Sequence, residues 1–344
     1  MESRIKYSLE DIRNTPILFV VGKGRSGTTL LSNIIDSHPN VASATESRFL
    51  LILWQRYKYM KEWKPEMAEE FIQNVQLDLH VKSLWSFHDG YLEALQEFPR
   101  ETTVSDLIKS VYIYRKSEFP KEKIQFIVDK NPMYTLFVDR IKQLFPQAKF
   151  YRLMRDPRDN VTSHLRYNDH HYGVLTYKWY DFNKRVDELK NKYPDDVFTQ
   201  NFEQLILNKD KFFKKFGEFS GIKNLSQLEE ERLKYKSQLS EKFNDQLKDQ
   251  HKASTKPLDK SKIGHYKNVL TAKQLNVVEG ICFPYAASFG YFPEVEKTRI
   301  NPLLLLAWKT KHFYINTLSL VLYNFPFSAM RVLSNFFDKK NKSN

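Results

Sequence analysis

Cysteine is nearly absent from this chain. Cys282 is the one cysteine among 344 residues, so no disulfide can form within the chain. A chain without disulfides suits a reducing compartment, and we therefore expect a cytoplasmic location. The residues Met1 to Tyr7 are too polar for a secretory signal or a membrane anchor.

Long apolar runs are also scarce, and the mean hydropathy is −0.56. Residues 299–344 are the exception, because 313–330 carry no charged side chain over about 18 residues. A membrane-spanning helix needs about 20 apolar residues, and this run is interrupted by Asn316 and Asn324. Basic residues surround it: Lys309, Lys311, Arg331, Lys339, Lys340 and Lys342. We expect a helical C-terminal extension that contacts the inner face of an anionic membrane, or that packs on the domain or a second subunit.

Acidic residues are too few to balance the basic ones. Lys and Arg number 54 against 41 Asp and Glu, which gives a net charge of +13 and a pI near 9.4. Such an excess favours polyanionic partners: nucleotides, nucleic acids or anionic membranes. The sequence has neither zinc-ligand spacing nor the interleaved aromatic and basic residues of RNA-binding domains. We therefore expect no metal site and no nucleic-acid partner.

The most informative segment joins a strand, a glycine-rich turn and a helix. Residues 17–21 form a short apolar run typical of a buried parallel strand, and helical spacing begins at Thr28. This order directs backbone N–H groups and the positive helix end at an anion, usually a phosphate. Gly22 and Gly27 have the spacing of a nucleotide-binding P-loop, but Thr28 replaces the lysine that NTPases use. The cation is instead Arg25, inside the loop, so a P-loop kinase is the less favoured alternative.

Strand and helix patterns alternate through the rest of the chain. Further strands are predicted at 41–44, 124–128, 148–154 and 197–200, and helices lie between them. The segment of about 47–120 shows helical patterns only. This alternation predicts an α/β fold of the P-loop-like, three-layer type, with a central parallel sheet covered by helices on both faces.

Two motifs together resemble those of the sulfotransferases that use 3'-phosphoadenosine 5'-phosphosulfate (PAPS). Arg25-Ser-Gly-Thr-Thr after a strand is similar to their 5'-phosphosulfate loop. Arg155 at a strand end and Ser163 eight residues later are similar to their 3'-phosphate site. Eight residues are about two helical turns, so both side chains can reach one anion. The resemblance implies a sulfotransferase domain over 1–298, with an acceptor-site insertion of about 47–120.

The resemblance also implies the residues that bind the co-substrate. Phe202, in Phe-Glu-Gln-Leu, corresponds to an aromatic near the adenine, and Tyr266 and Lys267 belong to a segment that closes over the nucleotide. The full set of expected co-substrate residues is Gly24, Arg25, Ser26, Gly27, Thr28, Thr29, Arg155, Ser163, Phe202, Tyr266 and Lys267.

Catalytic residues follow from the bacterial and tyrosylprotein-type branch of the family. Arg25 and Lys130, the latter in Asp-Lys-Asn-Pro, are expected to stabilise negative charge on the transferred group. Glu46, about 21 residues after Arg25, resembles that branch's catalytic base. Other branches use a histidine. The candidates here are His80, His88, His164, His170 and His171.

The predicted function is metal-independent, in-line transfer of a sulfuryl group from PAPS to an acceptor hydroxyl. The apolar extension and the aromatic-rich insertion favour a small molecule or lipid, such as a steroid alcohol, over a protein acceptor. Two alternatives stay open: a P-loop nucleotide-dependent kinase, and a non-catalytic module that binds a nucleotide or a membrane.

Overall fold

A computed structural model describes residues 7–44, 46–166, 171–240, 257–294, 300–329 and 331. Its core is one sheet of five strands in the order β2-β3-β1-β4-β5. The strands are β1 Ile17–Val21, β2 Val41–Ala44, β3 Phe126–Lys130, β4 Lys149–Met154 and β5 Val197–Asn201. Every neighbouring pair is parallel, as the alternation of strand and helix patterns predicts.

Helices cover both faces of this sheet. In chain order they are α1 Leu9–Asn14, α2 Thr28–Asp36, α3 Phe49–Tyr57, α4 Ala68–Val75, α5 Leu79–Leu84, α6 Tyr91–Glu97, α7 Val104–Ile113, α8 Val138–Leu144, α9 Pro157–Leu165, α10 Tyr172–Lys192, α11 Phe202–Leu207, α12 Lys209–Ser220, α13 Leu228–Ser240, α14 Ala272–Ala286 and α15 Pro302–Leu322. Short 3₁₀ helices lie at Pro65–Met67, Pro132–Leu136, Pro194–Asp196, Lys260–Lys262, His265–Asn268 and Ala287–Phe289.

Strand β1 is the centre of the molecule, and all five of its residues are buried. Because side chains alternate along a strand, Phe19 packs into the core beneath α3 and α7. Leu18 and Val20 face the opposite core, which α2, α11 and α12 close. A continuous apolar run is what a strand with helices on both faces requires, and the predicted three-layer fold is confirmed.

Strand β3 lies two residues later than its predicted position of 124–128. Parallel pairing aligns Ile17 with Ile127 and Val20 with Lys130. The polar residues Asp129 and Lys130 therefore belong to the strand. The side chain of Asn131 then caps the next turn by accepting a hydrogen bond from the Met133 N–H at 3.1 Å. Lys130 therefore stands at the carboxyl end of a central strand.

The insertion of about 47–120 is helical, as predicted. Between β2 and β3 the described residues contain helices α3 to α7, and one isolated bridge joins Phe87 to Arg115. Aromatic side chains dominate its interior: the Phe49 ring lies 5.1 Å from that of Tyr112, and the Trp63 ring 5.8 Å from that of Phe71. The insertion therefore packs as an aromatic-rich layer above one face of the sheet.

The main element of the described part of the C-terminal extension is the helix α15, which covers Pro302–Leu322. Trp308 packs so closely on Gly173 of α10 that a Cβ there would lie 2.3 Å from the indole. His312 contacts the Asp181 carboxylate at 2.9 Å, and Tyr323 accepts a hydrogen bond from Arg48 at 2.9 Å. Among the residues described, no helix is long and apolar enough to cross a membrane. Of the extension, 299, 330 and 332–344, with three of its flanking lysines, lie outside the described residues.

Candidate active site

A cavity of about 720 Å³ opens at the carboxyl ends of β1, β3 and β4. Ligands of parallel α/β sheets bind at this edge, because loops and helix N-termini converge there. Its lining includes residues from both motifs, from α10 and from α15: Lys23, Gly24, Arg25, Gly27, Thr28, Thr29, Glu46, Pro132, Met133, Leu136, Arg155, Ser163, His164, Lys178, Phe182, Phe202, Lys262, His265, Ile315, Asn316 and Ser319. The sheet thus brings together segments that are far apart in sequence.

The loop between β1 and α2 owes its shape to left-handed backbone conformations. Gly22 and Gly27 have φ of 104° and 85°, and Arg25 has φ of 66°. Gly27 is the N-cap of α2, and a Cβ there would lie 2.2 Å from the Phe202 ring. Ser26 is buried and accepts a hydrogen bond from the Asn160 amide at 3.0 Å. The loop is therefore held rigidly around the start of the helix, where N–H groups favour an anion.

The second motif lies directly against this loop. The Arg25 Nε donates to the Ser163 hydroxyl at 3.3 Å, and an Arg155 guanidinium N–H donates to the Arg25 carbonyl at 3.4 Å. Another donates to the Lys262 carbonyl at 2.6 Å, while Arg155 Nε is buried with no partner among the described residues. Burial lowers the pKa of Arg155 below its ordinary value. A buried guanidinium with a spare donor suits a phosphate oxygen.

Lys130 and Glu46 form an ion pair at the cavity wall. The Lys130 ammonium lies 2.8 Å from a Glu46 carboxylate oxygen and donates to the Thr29 hydroxyl at 3.1 Å. The lysine side chain is 2% exposed and that of Glu46 is 56% exposed. Burial would raise the pKa of Glu46, but the ammonium of Lys130 outweighs it and the pKa lies below its ordinary value. Glu46 is therefore ionised at neutral pH and close to the loop.

The C-terminal closing segment is attached to α9 by one carboxylate. Asp159 accepts hydrogen bonds from the Gly264 N–H at 2.8 Å and the Tyr266 N–H at 2.9 Å. The Tyr266 hydroxyl donates to Glu294 at 2.7 Å, and the Lys267 ammonium pairs with the same carboxylate at 2.9 Å. Neither Tyr266 nor Lys267 is among the residues that line the cavity, and their contact with the nucleotide stays a prediction. Their neighbours Lys262 and His265 do line it.

Two lysines of the lining, Lys23 and Lys178, are absent from the predicted site. Lys23 is 2% exposed and its ammonium contacts the His164 Nε2. The charge of Lys178, on α10, acts on both of these groups. Burial first, and then the charges of Lys178 and Arg25, lower the pKa of Lys23. The position of Lys23 between two loop glycines is the one signal that sequence offers for it.

The histidines singled out in the sequence lie in different places. Only His164 of the five is among the residues that line the cavity. His171 stacks on Trp308, with ring centroids 5.5 Å apart, whereas His170 lies outside the described residues. Burial, reinforced by the charges of Lys23 and Lys178, lowers the pKa of His164 far below its ordinary value, so its ring is neutral.

Comparison with protein families decides what this combination of fold and motifs represents. The model of the sulfotransferase family matches residues 16–226, which is more than half of the chain and contains the loop, Glu46, Lys130 and the Arg155 motif. The chain belongs to the sulfotransferase family. The family match ends before the closing segment and before α15.

Individual relatives of the chain are distant. A protein-tyrosine sulfotransferase 1 from Danio rerio is 23% identical over 223 residues, covering 61% of this chain and 54% of the relative. The Rattus norvegicus protein of the same name is 27% identical over 154 residues, covering 44% and 34%. The chain thus spans about half, or less, of the length of these relatives. The sulfotransferase domain of the Synechococcus PCC 7002 olefin synthase aligns with a TM-score of 0.48 at 17% identity, over 85% of this chain and 98% of that one.

Proposed function

We propose that this protein transfers a sulfuryl group from PAPS to an acceptor hydroxyl. The observation that carries the proposal is the junction of two anion-binding elements in one cavity. The loop at Arg25 and the Arg155 motif are linked by the hydrogen bonds of Arg25 to Ser163 and of Arg155 to the Arg25 carbonyl. One donor with phosphate groups at both ends of an adenosine matches this arrangement better than a nucleoside triphosphate does.

The loop is proposed to bind the 5'-phosphosulfate and the second motif the 3'-phosphate. The backbone from Gly24 to Thr29 supplies N–H donors, and the spare donor of Arg155, with Ser163, supplies the other pocket. The centre of the Phe202 ring lies 4.8 Å from the Arg155 guanidinium carbon. Phe202 lines the same cavity, where it can contact the adenine. Tyr266 and Lys267 are proposed to act indirectly, by fixing the segment that holds Lys262 and His265.

The reaction requires an acceptor oxygen–sulfur bond to form as the sulfur–oxygen bond to the 5'-phosphate breaks. Arg25 and Lys130 are proposed to stabilise the negative charge that collects on the departing phosphate and the transferred oxygens. Glu46 is proposed to take the acceptor proton, because its carboxylate is ionised and faces the same cavity. The proton on the acceptor thus ends on Glu46, and the released product is adenosine 3',5'-bisphosphate (PAP). These roles call for no metal ion.

Two acceptor classes are supported by different observations. The similarity to protein-tyrosine sulfotransferases favours a tyrosine hydroxyl in a protein as the acceptor. The apolar part of the lining, which includes Met133, Leu136 and Ile315, favours a lipid or steroid alcohol. A kinase is the less favoured alternative, since Thr28 is buried at the position where a P-loop lysine would reach the phosphates.

Calorimetry with the purified chain tests the donor. We expect PAP to bind and Mg·ATP to compete poorly; the reverse order would refute the proposal and support a kinase. Labelled PAPS, offered with sterols, lipid alcohols, phenols and tyrosine peptides, then identifies the acceptor. We expect Arg25→Ala to abolish transfer, Glu46→Gln to lower kcat more than PAP affinity, and Arg155→Ala mainly to weaken PAP binding. A fully active Glu46→Gln together with an inactive His164→Ala would assign the base to the histidine.

We also propose that α15 rests on an anionic membrane surface, facing a reducing cytoplasm in which Cys282 stays a free thiol. Leu306 and Phe313 are 60% and 69% exposed, and Lys309 and Lys311 lie between them on the same helix. An exposed apolar face next to lysines is complementary to anionic lipid.

Sedimentation with phosphatidylcholine vesicles, with or without phosphatidylserine, tests this contact. We expect binding that requires phosphatidylserine and that is lost in a Leu306→Ser, Phe313→Ser double variant. Phe292→Ser is the matched control, because Phe292 is 68% exposed outside the helix. Equal pelleting of the chain and the double variant would contradict the proposal.

A further inference from the structure

The lining of the cavity includes a basic cluster formed by Lys23, His164 and Lys178. Lys23 contacts His164, and the charge of Lys178 is felt by both. The carboxylates that act on Arg155 are instead Asp159, Glu203 and Asp156. The cluster and the proposed 3'-phosphate pocket line the same cavity. They differ in the carboxylates that act on them, while the charge of Arg25 reaches both.

Lys178 is the member of this cluster that is best placed to bind an anion. It is half-buried on α10, and its ammonium lies 5.5 Å from the centre of the Phe182 ring. Among the described residues no carboxylate lies within ion-pair distance of it, and burial lowers its pKa. An ammonium kept from bulk water without a carboxylate is costly unless a bound anion compensates it. Glu46, whose charge reaches Lys23, is already paired with Lys130.

The cavity lining to which Lys178 belongs includes apolar residues, some of them from the extension. Phe182 lies one turn further along α10, and Ile315 with Ser319 of α15 lines the same cavity. Met133 and Leu136 add apolar surface from the 3₁₀ turn after β3. A ligand that fills this part of the cavity meets a cation and an apolar wall together.

We infer that this region is the acceptor subsite, and that it takes an amphiphilic acceptor with a carboxylate or phosphate close to its hydroxyl, the anion binding Lys178 and the apolar part lying against Phe182 and Ile315. This inference rests on the proposed function, because it assigns the donor to the Arg25 loop and the Arg155 motif and leaves the wall at Lys178 to the acceptor. It favours an anionic lipid-like molecule over an acidic peptide, since a peptide offers no long apolar chain to the α15 wall.

Binding to the PAP-saturated chain tests the inference without requiring turnover. The probes are N-octanoyl-tyrosine, which carries a carboxylate, and N-octanoyl-tyramine, which has the same phenol and chain without it. We expect the carboxylate probe to bind at least about tenfold tighter, as a charge-assisted hydrogen bond implies. Lys178→Met is expected to remove this preference and to leave PAP affinity within about twofold. Lys184→Met is the matched control, because Lys184 lies on the same helix, exposed, outside the lining.

Each other outcome has a distinct meaning. Failure of the unaltered chain to bind PAP would refute the proposed function itself. If PAP binds but neither probe does, or both bind equally, the anionic subsite is refuted while the donor site stands. If Lys178→Met weakens PAP as much as the carboxylate probe, Lys178 belongs to the donor site and the inference is wrong. A tyrosine peptide with acidic neighbours that binds tighter than the probe, and depends on Lys178, would overturn the amphiphile in favour of a protein acceptor.

Discussion

Replacing Asp129 by asparagine should make the stability of the protein less dependent on pH. Asp129 is fully buried in β3, and burial raises its pKa from 3.8 to about 7, although the Tyr112 hydroxyl donates to it at 2.5 Å. In the unfolded chain the carboxyl loses its proton near the ordinary value. Folding therefore retains a proton that the unfolded chain releases, and stability falls as pH rises from about 4 through 7.

The size of the effect follows from the two pKa values. A pKa difference of one unit corresponds to about 1.36 kcal/mol. Raising the pKa of Asp129 from 3.8 to about 7 therefore makes the free energy of unfolding about 4 kcal/mol lower at pH 8 than at pH 4. Asparagine at position 129 can accept the Tyr112 hydrogen bond and does not titrate. Any cost of burying its amide is independent of pH. Between pH 4 and 8 the free energy of unfolding of Asp129→Asn should therefore rise by about 4 kcal/mol relative to that of the parent, and little more above pH 8.

Urea unfolding at 25 °C, followed by circular dichroism from pH 4 to 9, measures this difference. Asp139→Asn is the control, because that carboxylate is 71% exposed and pairs with Lys192 at the surface. Its curve should run close to that of the parent. Parallel curves for Asp129→Asn and the parent would refute the reasoning, since they would mean that the buried carboxyl ionises as readily in the folded protein as in the unfolded chain.

Three further substitutions test other parts of the structure. Gly27→Ala places a methyl group 2.2 Å from the Phe202 ring at a positive φ, so we expect a loss of about 2 to 5 kcal/mol and greatly weakened PAP binding; normal calorimetric affinity would contradict this. Trp308→Ala should lower the free energy of unfolding by about 3 to 5 kcal/mol in urea titrations, because the indole is 7% exposed. A loss as small as that of an exposed side chain would show that α15 is loosely attached. Arg158→Met leaves Glu279 buried without its 2.8 Å partner and should cost about 3 to 5 kcal/mol, with a lower melting temperature as the readout.

The features that the sequence predicts correctly are those encoded by neighbouring residues. The apolar run of β1, the loop after it, and the spacing of Arg155 from Ser163 are all local patterns. They arise from side-chain alternation, glycine geometry and helical periodicity, which act over fewer than about ten residues. The fold class can therefore be derived from the order of the residues alone, whereas anion binding by the loop and by the Arg155 motif stays a prediction.

The remaining features depend on packing between distant segments. Lys23 meets His164 across 141 positions of sequence, and no local pattern indicates that contact. Hydrophobicity alone misplaces β3, because strand pairing extends it through Lys130. Lys267 pairs with Glu294, a contact that no local pattern indicates, and its place beside the nucleotide stays a prediction.

The cavity is lined by residues from two parts of the chain: the part that matches the family and the helix α15, which lies beyond that match. The loop and the Arg155 motif fall within residues 16–226, the part shared with the family, whereas Ile315 and Ser319 come from a helix beyond it. Under the proposed function, replacing α15 changes the acceptor side of the cavity and leaves the proposed donor residues within 16–226 as they are. A chimaera that exchanges α15 between two such proteins should carry its acceptor preference along with the graft.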